Sequence, residues 1–204
     1  MLKILRVSGP PLVAHGIDTG YKSVFDLSDQ KSRIYIGGIP RTVKVQDSVK
    51  FESFQGQIEE VTLGDTPLGL WNFVQGQYNL HGSSPRTALK PIGHTNSLSF
   101  DGKGYAMLTN TRHNFETETT VSFSFRSYAK EGLLFLIGGD QDYFALSLEN
   151  GKVMLIFDLG SGYTVVESRD TFNDGEWHRV EASRVGKDVI LKIDKEEMGS
   201  ASAF

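Results

Sequence analysis

The chain has 204 residues, 39% hydrophobic and 23% charged, with a formal net charge of -4, a composition that supports a packed globular core. The acidic balance excludes bulk affinity for nucleic acid, and no stretch approaches the ~20 apolar residues of a membrane-spanning helix. Cysteine is absent, so no disulfide framework is available, and residues 1–10 are too short and too interrupted for the apolar core of a secretory leader.

In chain order, residues 33–38 (Arg33-Ile34-Tyr35-Ile36-Gly37-Gly38) and 58–63 read as short strands. From 76 to 96 the rhythm breaks: Gly82-Ser83-Ser84-Pro85 and Lys90-Pro91-Ile92-Gly93-His94 lack alternation, so a connector is expected there. Residues 98–108 are expected to open a new unit as a strand pair. Residues 120–126 set Val121, Phe123 and Phe125 on one face, with Ser122, Ser124 and Arg126 expected toward solvent.

Residues 132–138 are continuously apolar, as in a strand buried on both faces. The clearest element follows. Phe144, Leu146 and Leu148 share a face, Asn150-Gly151 suits the two φ > 0 positions of a type I′ turn, and Val153, Leu155 and Phe157 return inward. Asn173-Asp174-Gly175 predicts a turn into residues 176–183, where His178, Val180 and Ala182 share a face, and residues 188–194 form a further strand. The chain reaches Ala203-Phe204 with no evident closing strand. Short strands about ten residues apart predict an all-β, antiparallel β-sandwich.

Catalytic signatures are sparse. No Gly-x-Ser-x-Gly elbow, His-Glu-x-x-His pair or phosphate loop occurs. A glycosidase needs two carboxylates across the cleaved bond. The acidic clusters Glu116-Thr117-Glu118 and Asp194-Lys195-Glu196-Glu197 are the candidates, one in an expected loop and one near the end. Trp177 and His178 read as core and strand-packing residues rather than catalytic ones. The chain is therefore read as non-enzymatic.

Several segments together resemble the laminin G-like domain, most like the tandem globular tail of a laminin alpha subunit. Tyr35-Ile36-Gly37-Gly38-Ile39-Pro40 resembles that domain's late strand and Gly-Gly turn, and Phe54-Gln55-Gly56-Gln57-Ile58 its closing strand, with Gln57 where the family has a cysteine. Pro67-Leu68-Gly69-Leu70-Trp71-Asn72-Phe73 resembles the segment that leaves one such domain. Phe100-Asp101-Gly102, Gly132-Leu133-Leu134-Phe135, residues 142–152 and Asp174-Gly175-Glu176-Trp177-His178 then follow in the order of the next. The resemblance implies a jelly-roll, concanavalin-like sandwich present as two partial tandem units. Residues 1–76 would be the C-terminal part of a first domain, 77–97 the connector and start of the next unit, and 98–204 the N-terminal part of a second, truncated domain.

What the resemblance implies for function is adhesion in a basement membrane: a secreted extracellular-matrix segment, Met1 being an internal start. Its partners would be cell-surface receptors of the integrin or dystroglycan class, heparan sulfate-type glycans and, through other regions, further laminin subunits, without nucleic acid or membrane insertion. The alternatives are a lectin-like carbohydrate-binding sandwich and an agrin- or neurexin-type receptor-binding domain. The family's calcium site maps to Asp142 and Asp29, which fall in different units so that each lacks its partner. Calcium takes six to eight oxygens, so backbone carbonyls and waters would complete such a site; the simpler reading makes Asp142 only the polar end of a turn. Lys31, Arg33, Arg41, Lys44 and Lys50 form a candidate glycan or receptor patch, although charged strand-edge residues also guard against aggregation.

Overall fold

A computed structural model describes residues 33–67, 97–108, 115, 117–138 and 142–203. All of its regular elements are strands: β1 (Arg33–Ile36), β2 (Gln55–Leu63), β3 (Thr66–Pro67), β4 (Leu98–Asp101), β5 (Ala106–Leu108), β6 (Glu118–Arg126), β7 (Gly132–Gly138), β8 (Tyr143–Glu149), β9 (Lys152–Asp158), β10 (Thr164–Glu167), β11 (His178–Val185), β12 (Asp188–Ile193) and β13 (Glu196–Ser202). They form a six-stranded sheet, β10-β9-β8-β7-β1-β5, and a seven-stranded sheet, β13-β12-β11-β6-β2-β3 with β4 also on β2. Every pairing is antiparallel. The fold is an all-β sandwich.

Alternation supplies the core. Phe123 and Phe125 of β6, Phe144 and Leu146 of β8, Leu155 and Phe157 of β9 and Val180 and Ala182 of β11 meet between the sheets, all essentially without solvent exposure. The β8–β9 hairpin runs in the expected register, Glu149 opposite Lys152, with Asn150 and Gly151 at φ 54° and 82°. In β7 a bulge between Leu133 and Phe135 interrupts the alternation. Leu134, Phe135 and Ile137 therefore face the main core, while Leu133 and Leu136 join a second cluster with Tyr35, Ile39, Val49 and Tyr143. That cluster lies on the outer side of the six-stranded sheet under residues 39–51, which explains a strand apolar on both faces.

Strands from residues 33–67 and from 98–202 are interleaved: β1 lies between β7 and β5, and β2 between β6 and β4, so both parts contribute to the same two sheets. Three expectations are corrected. Residues 98–108 are not a strand pair, since β4 joins β2 while β5 joins β1 in the other sheet. Ser122 and Ser124 are buried, because β2 and the Arg179 side chain cover them; Thr62 Oγ1 and Arg179 Nη2 reach Ser122 Oγ at 2.5 and 2.8 Å. Finally, the chain does continue after β12, turning at Asp194-Lys195 (φ 52° and 74°) into β13. The expected connector at 76–96 and the exit segment at 68–73 lie outside the described residues.

The Gly37-Gly38 turn shows why the motif needs glycine. Gly37 has φ +73° and donates its N–H to Leu134 O, and a Cβ there would lie 2.4 Å from the Phe100 ring. Phe100 packs edge-on to Phe54, and Phe54 to Phe125, with centroids 6.3 and 6.4 Å apart. This turn locks β1 to the core and launches the chain into residues 39–51.

Candidate recognition surface

After Gly38 the chain leaves the six-stranded sheet, crosses its outer face and returns at Phe54. The neck of this strap is closed by the Gly38–Ser53 bridge and by bonds from Ile39 N to Glu52 O and Phe54 N to Gly37 O. Buried Ile39 and Val49 root it in the second cluster. Two side-chain contacts fasten it further on: the Ser48 and Tyr143 hydroxyls hydrogen-bond, and Lys50 Nζ donates to both Glu149 oxygens at 2.7 and 2.9 Å. Burial pushes the Tyr143 phenol up to about 12, the Ser48 bond opposing it only in part.

The strap encloses a pocket of about 180 Å³. Its floor follows from the ladder. Arg33 of β1 lies opposite Gly138 of β7, which lies opposite Tyr143 of β8, so a side-chain gap at Gly138 separates a guanidinium from a phenol. Tyr35 and Leu136 form the next row, and Lys44 and Gln46 line the pocket from the strap. Of the five basic residues singled out in the sequence, Arg33 and Lys44 thus come together. Lys50 is engaged with Glu149, Arg41 is exposed on the strap outside this lining, and Lys31 is not among the described residues. The glycine gap carries no sequence signal by itself, since it acquires meaning only when strap and sheet meet.

Asp142 is buried, 5% exposed, at the start of β8. A Cβ on Gly160 would stand 3.4 Å from its Oδ1. Its negative charge acts on Arg184, a side chain 1% exposed whose guanidinium donates to Phe115 O, Gly186 O (2.8 Å) and Thr119 Oγ1 (3.1 Å). Burial lowers the Arg184 pKa to about 10, and Asp142 and Glu118 oppose that fall. Among the described residues no group of three or more His, Cys, Asp or Glu converges as a metal site. One carboxylate falls well short of the oxygens calcium requires, and Asp29 lies outside the described residues. The sequence reading also separated the two acids by unit. In the fold, the N-terminal end of β1 and the C-terminal end of β7 lie at one end of the sheet, Arg33 opposite Gly138.

His178 stands between two carboxylates, Nδ1 at 2.8 Å from Asp194 Oδ2 and Nε2 at 3.0 Å from Asp174 Oδ1. A neutral imidazole has one N–H, so both contacts are hydrogen bonds when the ring is protonated. Burial opposes the charge, but the two carboxylates prevail and raise the pKa above 6.5. Ring packing against Phe172, 4.9 Å between centroids, fixes its tilt. Trp177, expected in the core, is 37% exposed with the Arg126 guanidinium 5.0 Å from its ring centroid, because it precedes β11 and projects outward. Glu118 begins β6, Asp194 to Glu197 turn from β12 into β13, and Glu116 lies outside the described residues.

The described residues thus form an antiparallel sandwich with a strap over the outer face of its six-stranded sheet. The chain carries a laminin G domain, its residues 125–203 matching the family model of that name. Laminin subunit alpha of Drosophila melanogaster is 35% identical over 175 residues, covering 81% of this chain and 5% of the relative. Laminin subunit alpha-1 of Mus musculus is 28% identical over 185 residues, covering 90% and 6%. Pikachurin of Bos taurus is 25% identical over 231 residues, covering 94% and 22%. Domains LG4-5 of the mouse laminin alpha1 chain match structurally at a TM-score of 0.44 and 27% identity, over 46% of this chain and 26% of that one. The chain thus spans 5–6% of the length of these two laminin subunits. No helix among the described residues is long and apolar enough to cross a membrane.

Proposed function

We propose that this chain is a non-catalytic adhesion segment of a secreted extracellular-matrix protein, binding cell-surface receptors and sulfated glycans through its laminin G-like sandwich. The observation that carries the reading is a laminin G match over residues 125–203 in a fold whose outer sheet face bears a fastened strap with exposed basic residues. Receptors of the integrin or dystroglycan class are the intended partners. In sequence, the first part supplies the closing strands of one laminin G-like unit and the second part the opening of the next; relatives that run with the chain over 81–90% of its length support that origin. Calcium held by Asp142 and Asp29 belongs to the proposal through the family resemblance of the segments that carry them.

The test is retention on immobilised heparin together with attachment of receptor-bearing cells to coated protein, each with and without a calcium chelator. Salt-sensitive heparin retention and cell attachment above an inert-protein control are expected. Calorimetry on the wild type and Asp142→Asn isolates the ion: the substitution weakens calcium binding if the rim site is right, and equal affinities remove calcium from the account. Absence of both heparin retention and cell attachment would refute the adhesion reading itself.

A further inference from the structure

We infer that Asn150-Gly151, the turn of the β8–β9 hairpin, is a latent deamidation site that the fold keeps dormant by clamping the Gly151 amide. The chemistry is intramolecular. The Gly151 nitrogen attacks Asn150 Cγ, the N–Cγ bond forms as the Cγ–Nδ2 bond breaks, and the Gly151 proton leaves on ammonia. Water then opens the resulting imide at either carbonyl and leaves aspartate or isoaspartate at position 150. A glycine on the C-terminal side favours the reaction, because it puts no side chain in the path of the closing ring. Asn150 is exposed, whereas Gly151 is buried.

Ring closure must turn the planar Asn150–Gly151 peptide so that its nitrogen swings toward Cγ. Gly151 N–H donates to Lys130 O at 2.8 Å, which holds that plane, and Gly151 O accepts the Phe172 N–H at 2.7 Å, which holds the next. The Asn173 side chain packs against Gly151 so closely that a Cβ there has no room. The sequence holds two further pairs of this kind, Asp101-Gly102 and Asp174-Gly175. Their glycine N–H groups are also donated, to Phe54 O and Ser127 O, at 3.0 Å each. These two pairs carry a second guard, because each aspartate Oδ1 accepts an N–H two residues on, from Lys103 at 3.1 Å and Glu176 at 2.9 Å. A carboxylate, ionised at neutral pH, is also a poorer electrophile than a neutral amide. Asn150 is thus the reactive member of the set, and its dormancy rests on the clamp at Gly151. Reaction there reaches the strap: isoaspartate adds a backbone carbon to the turn that sets Glu149 opposite Lys152, and Glu149 is the residue that holds Lys50.

Deamidation and amide hydrogen exchange both wait for the Gly151 N–H to come free, so one local opening governs both. The full chain is incubated near neutral pH, folded and in urea, and position 150 is followed by peptide mapping that separates aspartate from isoaspartate. In urea, Asn150 should convert to both products, well ahead of any isomerisation at Asp101 or Asp174. In the folded chain its conversion should be slower by about a hundredfold or more, and by the same factor as exchange of the Gly151 amide hydrogen. Asn173→Ala, which loosens the packing on Gly151, should speed conversion and exchange in step. Conversion of the folded chain at the urea rate would overturn the clamp, as would conversion that rises in Asn173→Ala while Gly151 exchange does not. Asn150 staying intact in urea would remove the site altogether. Should Asn173→Ala fail to fold, the comparison of folded and urea-treated wild type decides.

Discussion

His178 reports its surroundings through its protonation. Its ring ties the Asp174 turn to the Asp194 turn between β12 and β13, while Asp194 Oδ1 also accepts the Arg179 N–H at 2.7 Å. The folded-state pKa is raised above 6.5, so the protein binds this proton more tightly than its unfolded chain does. The resulting stabilisation is fully present below the unfolded value and is lost as pH rises through the folded one. The wild-type melting temperature is expected to decline as pH rises from near 6.5, and His178→Gln should flatten that portion of the profile. Parallel profiles for the two proteins would contradict the charged-imidazole assignment. Asp174 has the opposite sign: the Glu176 backbone N–H and then His178 depress its pKa, so its contribution disappears only in acid. Arg184 was foreshadowed by parity, since it follows Val180 and Ala182 inward along β11, but a buried arginine becomes intelligible only with Asp142 and its carbonyl acceptors in view.

Elements differ in how much of their cause is local. The β8–β9 hairpin was legible because Asn150-Gly151 joins two alternating runs, and its energetics are equally local. Gly151 sits at φ +82°, and a Cβ would lie 2.3 Å from Asn173 Oδ1. Gly151→Ala is therefore expected to destabilise the protein by about 1–3 kcal/mol, with little change in the slope of a urea denaturation curve. A change below a few tenths of a kcal/mol would mean that the turn relaxes freely. β10 and β13 escaped the sequence reading for the opposite reason. Thr164-Val165-Val166-Glu167 is short and follows a glycine-rich turn, and Glu196 to Ser202 has no β-branched residue. Each is a strand because a neighbour offers a ladder, β9 for one and β12 for the other. The strap and its pocket were hidden similarly: Lys44 lies far along the chain from Gly138, and only the fold places a basic loop over that gap.

At the scale of the molecule, the sequence showed family motifs in order but assigned them to two incomplete units. Their packing follows from unfinished edges. β2 offers one edge to β6 and the other to β4 and β3, while β1 fills the space between β7 and β5. An isolated second part would expose β6 and β7 as long apolar edges, a costly arrangement. Strands from the first part cover them and bury Ile34, Ile36, Phe54 and Ile58 in the shared core. The pocket beneath the strap then draws on both parts: β1 brings Arg33, β7 brings Gly138, and the strap between β1 and β2 brings Lys44.

Native-state hydrogen exchange tests this union most directly. If the two parts form one cooperative sandwich, ladder amides of β1 and β2 should exchange with the same opening free energy as those of β6, β7 and β8, and all should shift together with denaturant. Amides of β1 and β2 exchanging orders of magnitude faster, while β6 to β9 stay protected, would contradict the single sandwich and with it the pocket that both parts build.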